Sequence, residues 1–263
     1  MYYTLGNHID LLPYAPYFFL ASIIVFLLAG WLFGRYRLRS SSTVIVRDSL
    51  ATAIFGLTAL VLGFSFSSAN EHFDNRIQLL RKQAASVRQV YESTKYLNPT
   101  DRATTQAALI RLVDIRMAAF QNIKKMDDLS DNLDKLSDQL AKTNEAVTLA
   151  INRSPATTKL LADQILKPQL SNLVSDIGDG ILNAKRHPPA IIDHYLLLLL
   201  SVAALLTGYA MAAKKEEDWF LTALYMCVMG FTLYVIFSLE YPNLFFPTEQ
   251  FNQDFIRFKD SLH

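Results

Sequence analysis

Charge is scarce in this 263-residue chain: only 19% of its residues are Asp, Glu, Lys or Arg, while 51% are hydrophobic. Soluble globular chains carry about 25% charged residues, so the shortage argues against a disordered chain and against an ordinary soluble enzyme. An excess of either sign is missing too. The 25 Lys and Arg meet 24 Asp and Glu for a net charge of +1, so no global field draws in nucleic acid or acidic substrates. There is one cysteine, Cys227, which excludes a disulfide framework within the chain and a cysteine-based zinc site. The Gly-rich phosphate loop ending in Gly-Lys, the Gly-x-Ser-x-Gly elbow, the His-Glu-x-x-His helix and the dinucleotide glycine fingerprint are all absent. Nothing nominates a nucleophile, a general base or a cofactor, and the chain is not expected to be an enzyme.

What is present explains the scarcity. Four stretches, 11–34, 49–70, 195–213 and 219–239, hold no charge at all. Each has about 19 residues or more, enough at about 1.5 Å per residue to cross about 30 Å of hydrocarbon. Backbone amides in lipid must be satisfied internally, so these spans are helices. The fold class is therefore an all-α polytopic membrane protein with four transmembrane helices, at about 13–34, 50–69, 192–213 and 219–239. Residues 1–70 form an N-terminal membrane hairpin, 71–190 a helical-bundle insert, 191–240 a C-terminal membrane hairpin and 241–263 a tail. The first span lacks a preceding Lys or Arg and a following small-x-small site, so it is expected to stay as a span rather than serve as a signal peptide. Tyr17, Trp31, Tyr195, Trp219 and Tyr241 lie near span ends, where an interfacial aromatic belt belongs.

Short-loop cations set orientation. Arg35, Arg37, Arg39 and Arg47 lie between the first two spans, and Lys214 and Lys215 between the last two. The rule places both loops in the cytoplasm and both termini, with the insert, on the other side.

The insert reads as helix throughout. Phe73, Ile77, Leu80, Ala84, Val87, Tyr91 and Thr94 alternate by four and three, a heptad seam that leaves span two without a Gly or Pro break. Asn98-Pro99 ends it and opens a second helix with Gln106, Ile110, Val113, Met117 and Phe120 on one stripe. Asp127 and Asp128 open a third, with Leu129, Leu133, Leu136, Leu140, Thr143, Val147 and Ala150 as its seam. A fourth carries Leu161, Ile165, Leu173, Ile177 and Ile181, with Pro168 as a kink. Lengths of roughly 25–30 residues and short connections predict an up-down bundle, its seams filled within one chain or between subunits. Asp127, Asp128, Asp131, Asp134 and Asp138 are spread along one helix and read as a solvated face. His72, His187 and His194, with Glu71, Asp74 and Asp193 nearby, match no ligand spacing, and no metal is expected.

Span two carries two ridges of period four. Ala59, Gly63 and Ser67 form a small-residue ridge suited to helix packing, expected within one subunit. Gly56, Leu60, Phe64 and Ser68 form an adjacent one, which would make an apolar constriction if the span lined a pore. In span three, Ala204, Gly208 and Ala212 mark another helix contact.

Leu62-Gly63-Phe64, then Phe73-Asp74-Asn75-Arg76, Gln83-Ala84 and Tyr91, and the run from Leu109 through Arg111 and Asp114 to Arg116, resemble the bacterial bestrophin-like membrane family of unknown function. That family also has two N-terminal spans, a helical insert and two C-terminal spans. It often shows Glu-Ala-Asn where this chain has Gln83-Ala84-Ala85. A more distant likeness is to the bestrophin anion channels, which have Leu-Gly-Phe on their pore-lining second span and a similar turn at Leu239-Glu240-Tyr241-Pro242. The resemblance implies a homo-oligomer, a pentamer by analogy, in a bacterial plasma membrane, with Gly56, Leu60, Phe64 and Ser68 lining a path for small anions. It also implies a cytoplasmic insert, against which the arginine-rich first loop argues; the loop charges decide for this chain. The aromatic pair after span two and the acidic calcium cluster after the last span are absent, so no calcium gating is expected. A non-conducting sensor or scaffold, whose bundle binds a ligand or partner, is the other reading.

Overall fold

The structure, a computed structural model, describes residues 14–40, 48–121, 123, 126–184, 190–214 and 219–262. Arg47, Lys124, Lys125, His187 and Lys215 lie outside the described residues, and the side chain of Asp193 is not among those described. Among the described residues everything regular is helical and there is no strand. The long helices are α1 (Ala15–Ser40), α2 (Asp48–Ser93), α3 (Pro99–Ala118), α4 (Met126–Asn152), α5 (Lys167–Ala184), α6 (Ala190–Lys214) and α7 (Trp219–Glu240). A short terminal helix, α8, runs from Gln253 to Asp260. Four of these helices, α1, α2, α6 and α7, are long and apolar enough to cross a membrane. Helix α2 runs for 46 residues, the unbroken helix that the lack of Gly and Pro beyond Gly63 predicts.

The described residues divide into two compact units, one from the stretches 14–73 and 190–245 and one from 74–184 and 246–262. The first is the membrane unit. Its core is Ile23, Leu27, Leu62, Ala69, Leu196, Leu200, Ala204, Met226, Leu233 and Ile236. Helices α1 and α6 lie parallel, because Gly30 meets Leu205 and Gly34 meets Tyr209 and Ala212. The approach is close enough to need glycine. A Cβ on Gly30 would sit 2.0 Å from the Leu205 carbonyl oxygen, and one on Gly208 2.0 Å from that of Leu27. In lipid, where apolar contact has no hydrophobic reward, such close backbone packing is what holds helices together. The ridge of Ala204, Gly208 and Ala212 does this, with its counterpart on α1 at Gly30 and Gly34. Helix α7 runs antiparallel to α1: Trp219 meets Trp31 edge-on at 5.7 Å, and Phe237 meets Phe19 at 5.2 Å. Arg35 lies 5.2 Å from the Trp31 ring, a cation beside an aromatic pair at the end of a span, as an interfacial belt requires.

The second unit is the insert bundle. Its core joins Ala84, Val87 and Val90 of α2 with Leu109, Leu112 and Val113 of α3, Leu136, Leu140, Val147, Ala150 and Ile151 of α4, and Leu170, Leu173 and Ile177 of α5. Every residue of the predicted α4 seam from Leu133 to Ala150 is buried, and the Asp131, Asp134 and Asp138 side chains are exposed. Two other stripes differ from expectation. In α3 the buried face is Thr105, Leu109, Leu112, Val113 and Arg116, one position earlier than the predicted stripe. Before α5, a π-helical turn spans Ala162–Leu166, and Ala162 and Leu166 are buried instead of Leu161 and Ile165. A π-turn adds a residue to the helix and so shifts the phase of everything N-terminal to it. It ends two residues before Pro168, which has no N–H to donate and crowds the carbonyl four residues back, that of Gln164.

The connections are pinned by polar contacts. Asn98 opens α3 with Pro99 at its first position, and the Asn98 Nδ2 donates to the Arg153 carbonyl at 2.6 Å. The Thr158 hydroxyl donates to the Tyr96 carbonyl at 2.7 Å. Residues 246–262, to which the sequence assigned no structure, end in α8, whose Phe255 and Phe258 belong to the bundle core.

Candidate pore face and a buried arginine in the insert

Helix α2 buries one line of its membrane segment, Thr58, Leu62 and Ala69. At 100° per residue, Leu60 lies about half a turn from both Thr58 and Leu62. The far face is therefore open: Leu60 is 54% exposed and Phe64 67%, and nothing stands within 4 Å of a Cβ built on Gly56 or Gly63. Ser68 and the ridge of Ala59, Gly63 and Ser67 are exposed as well. Only 11% of the apolar window of α2 is buried, against 50% for α6. Both ridges on span two therefore lack a partner among the described residues of the chain, so their packing is left to lipid or to another copy.

The other motif residues fall into different surroundings. Phe73 and Arg76 on α2 are half-buried and Asp74 is exposed. Ala84 is in the bundle core. Arg111 is exposed, and Asp114 pairs with Lys259 at 2.7 Å. Arg116 is different. It is a cation only 7% exposed, held on the inward face of α3 by its place three residues after Val113. The Arg116 Nε donates to Gln83 Oε1 at 2.8 Å, and its guanidinium lies 4.8 Å from the Phe120 ring. The Gln83 Nε2 donates to the Asp176 carbonyl at 2.9 Å, and the Ser86 hydroxyl to the Asp176 carboxylate. Desolvation pulls the guanidinium down to about 10 from its usual value, which leaves it protonated at neutral pH. In the sequence Gln83 stands out only as a departure from the resembled family's Glu-Ala-Asn, and its charged neighbours Arg81 and Lys82 give no sign that it turns inward.

No group of three or more His, Cys, Asp or Glu that would hold a metal occurs among the described residues.

A four-span helical unit with a helical bundle inserted between its second and third spans defines an all-α multi-pass membrane protein. Its architecture is that of the bestrophins. A bacterial bestrophin homologue from Klebsiella pneumoniae matches with a TM-score of 0.62 at 15% identity, over 86% of this chain and 88% of that one. A point variant of that homologue matches with a TM-score of 0.63 at 15% identity, over 91% and 96%. Another solved structure, described as a membrane protein, matches with a TM-score of 0.64 at 15% identity, over 90% and 94%. Neither the family models nor the curated proteins give a match to the sequence.

Proposed function

We propose that the chain assembles with copies of itself, as a pentamer, and that the open face of α2 lines a path for small anions, with Gly56, Leu60, Phe64 and Ser68 toward the path and Ala59, Gly63 and Ser67 against a neighbouring copy. The observation that carries this reading is the open far face of α2, where Leu60 and Phe64 lie one helical turn apart, 54% and 67% exposed among the described residues. A ring of such side chains around an axis makes an apolar constriction that resists wetting. The bestrophin fold supports the reading.

The test is ion flux into liposomes holding purified oligomer. Phe64→Ala and Leu60→Ala, by widening and wetting the constriction, should raise flux several-fold over wild type. Folded oligomers that pass no ion, with or without these changes, would overturn the pathway and leave the bundle as the functional part. Gly63→Val should leave the subunit fold intact, because beyond its own helical turn no described atom lies within 4 Å of an added Cβ, yet shift native mass toward smaller species.

For orientation we propose that the insert and both termini are extracytoplasmic, in a bacterial plasma membrane, on the strength of Arg35, Arg37, Arg39 and the lysine-bearing second loop. Cysteine placed at the exposed Ser130, with Cys227→Ser, should react with an impermeant reagent in intact cells. Labelling only after lysis would reverse the assignment.

A further inference from the structure

Among the described residues the Arg116 guanidinium is a buried cation with no ion-pair partner. Its one hydrogen bond among them goes to the neutral amide of Gln83. The bundle is built to hold that amide in place. Donation from Gln83 Nε2 to a backbone carbonyl at 2.9 Å fixes which end of the amide is which, so that Oε1 faces Arg116. Gly180 makes the space: a Cβ there would stand 1.9 Å from Gln83 Nε2. The nearby Asp176 carboxylate accepts from Ser86. A guanidinium has five N–H groups, and the Nε–H is the one that Gln83 engages. An unpaired buried charge is costly, while a guanidinium is weakly hydrated and well shaped for small planar or spherical anions.

We infer that the remaining N–H groups of Arg116 hold a small inorganic anion, a halide or an oxoanion of about nitrate size, as a structural ligand of the insert bundle. The site belongs to the insert bundle and stands whether or not the chain conducts. Lowered local dielectric strengthens the attraction, as it strengthens every polar contact beneath the surface. The anion stabilises the folded chain by linkage, since in the unfolded chain Arg116 is hydrated and not held beside Gln83.

The experiment is thermal unfolding of the full chain in detergent at fixed ionic strength, sodium gluconate being replaced stepwise by sodium chloride or sodium nitrate, so that screening is constant. Wild type should gain a few degrees in Tm along a saturating curve. Arg116→Gln keeps a donor for Gln83 Oε1 but removes the charge, and its Tm should not respond. Arg116→Lys keeps the charge on a point donor and should respond with about tenfold weaker half-saturation. An unresponsive wild type, or an Arg116→Gln chain that responds as wild type does, overturns the site. If Arg116→Gln does not fold, the comparison of lysine with arginine decides: equal half-saturation overturns it.

Discussion

Gly208→Val should leave almost no monodisperse protein after extraction from membranes. The reason is geometric. A Cβ at position 208 would lie 2.0 Å from the Leu27 carbonyl oxygen and 2.8 Å from the Trp31 amide nitrogen, and both obstacles are backbone, which has no alternative rotamer. Relief requires α1 and α6 to separate by more than an ångström along their length. That would undo the approach at Gly30 against Leu205 and at Gly34 against Ala212, because these sites lie along the same parallel seam. Overpacking a core typically costs 1–3 kcal/mol, and here several contacts go at once in a total stability of about 5–15 kcal/mol. Fluorescence-detected gel filtration reads the outcome. Gly178→Ala in the insert is the matched control: nothing lies within 4 Å of its added Cβ, and alanine inside a helix should stabilise by about 0.5–1 kcal/mol. Equal recovery of the two variants would show that the α1–α6 seam tolerates separation.

That seam was half legible. Ala204, Gly208 and Ala212 recur every four residues and announce themselves, but Gly30 and Gly34 look like two more small residues in an apolar run until α6 is laid beside them. The insert shows a similar division. In α4, single leucines alternate with charge, so only one face can go inward, and the seam from Leu133 to Ala150 follows from pattern alone. In α3 the apolar residues come in pairs, Leu109-Ile110 and Leu112-Val113, which fit two neighbouring stripes equally well. The buried one carries Thr105 and Arg116, residues that a hydrophobic pattern would place outside. Ahead of α5, the π-turn is invisible to a fixed 3.6 period, and Pro168 marks the strain without giving its form. The α2 face was readable as two period-four ridges, yet pattern could not say that both would lie bare on the chain. Gln83 was conspicuous only as an amide where the resembled family often has a carboxylate. The structure puts that amide against a cation, where a carboxylate would have supplied the missing negative charge.

Phe258→Ala should cost about 3–4 kcal/mol, in the range for emptying a buried aromatic site, and should free the last residues of the chain. An eight-residue helix has no stability of its own in water, so α8 exists because its two phenylalanines, three apart on one face, enter the bundle core at 1% and 2% exposure. The Phe258 ring meets Tyr91 edge-on at 5.4 Å, which ties the tail to the insert portion of α2. The visible ion pair contributes much less. Lys259 and Asp114 lie 2.7 Å apart with side chains 36% and 49% exposed, and such a pair is worth about 0–1 kcal/mol in solvent. Lys259→Ala should therefore leave the tail docked, while Phe258→Ala releases it. Limited proteolysis of the full chain separates the two, because cleavage within residues 246–262 reports undocking directly. Faster cleavage in Lys259→Ala than in Phe258→Ala would mean that charge, and not burial, holds the tail. The sequence concealed this because 248–260 is polar by average composition: its apolar residues, Phe251, Phe255, Ile256 and Phe258, stand among Glu249, Asp254, Arg257, Lys259 and Asp260. On so short a helix two aromatic side chains suffice to dock it, and their value comes entirely from a core whose other members, Ala84 to Ile177, lie far earlier in the chain.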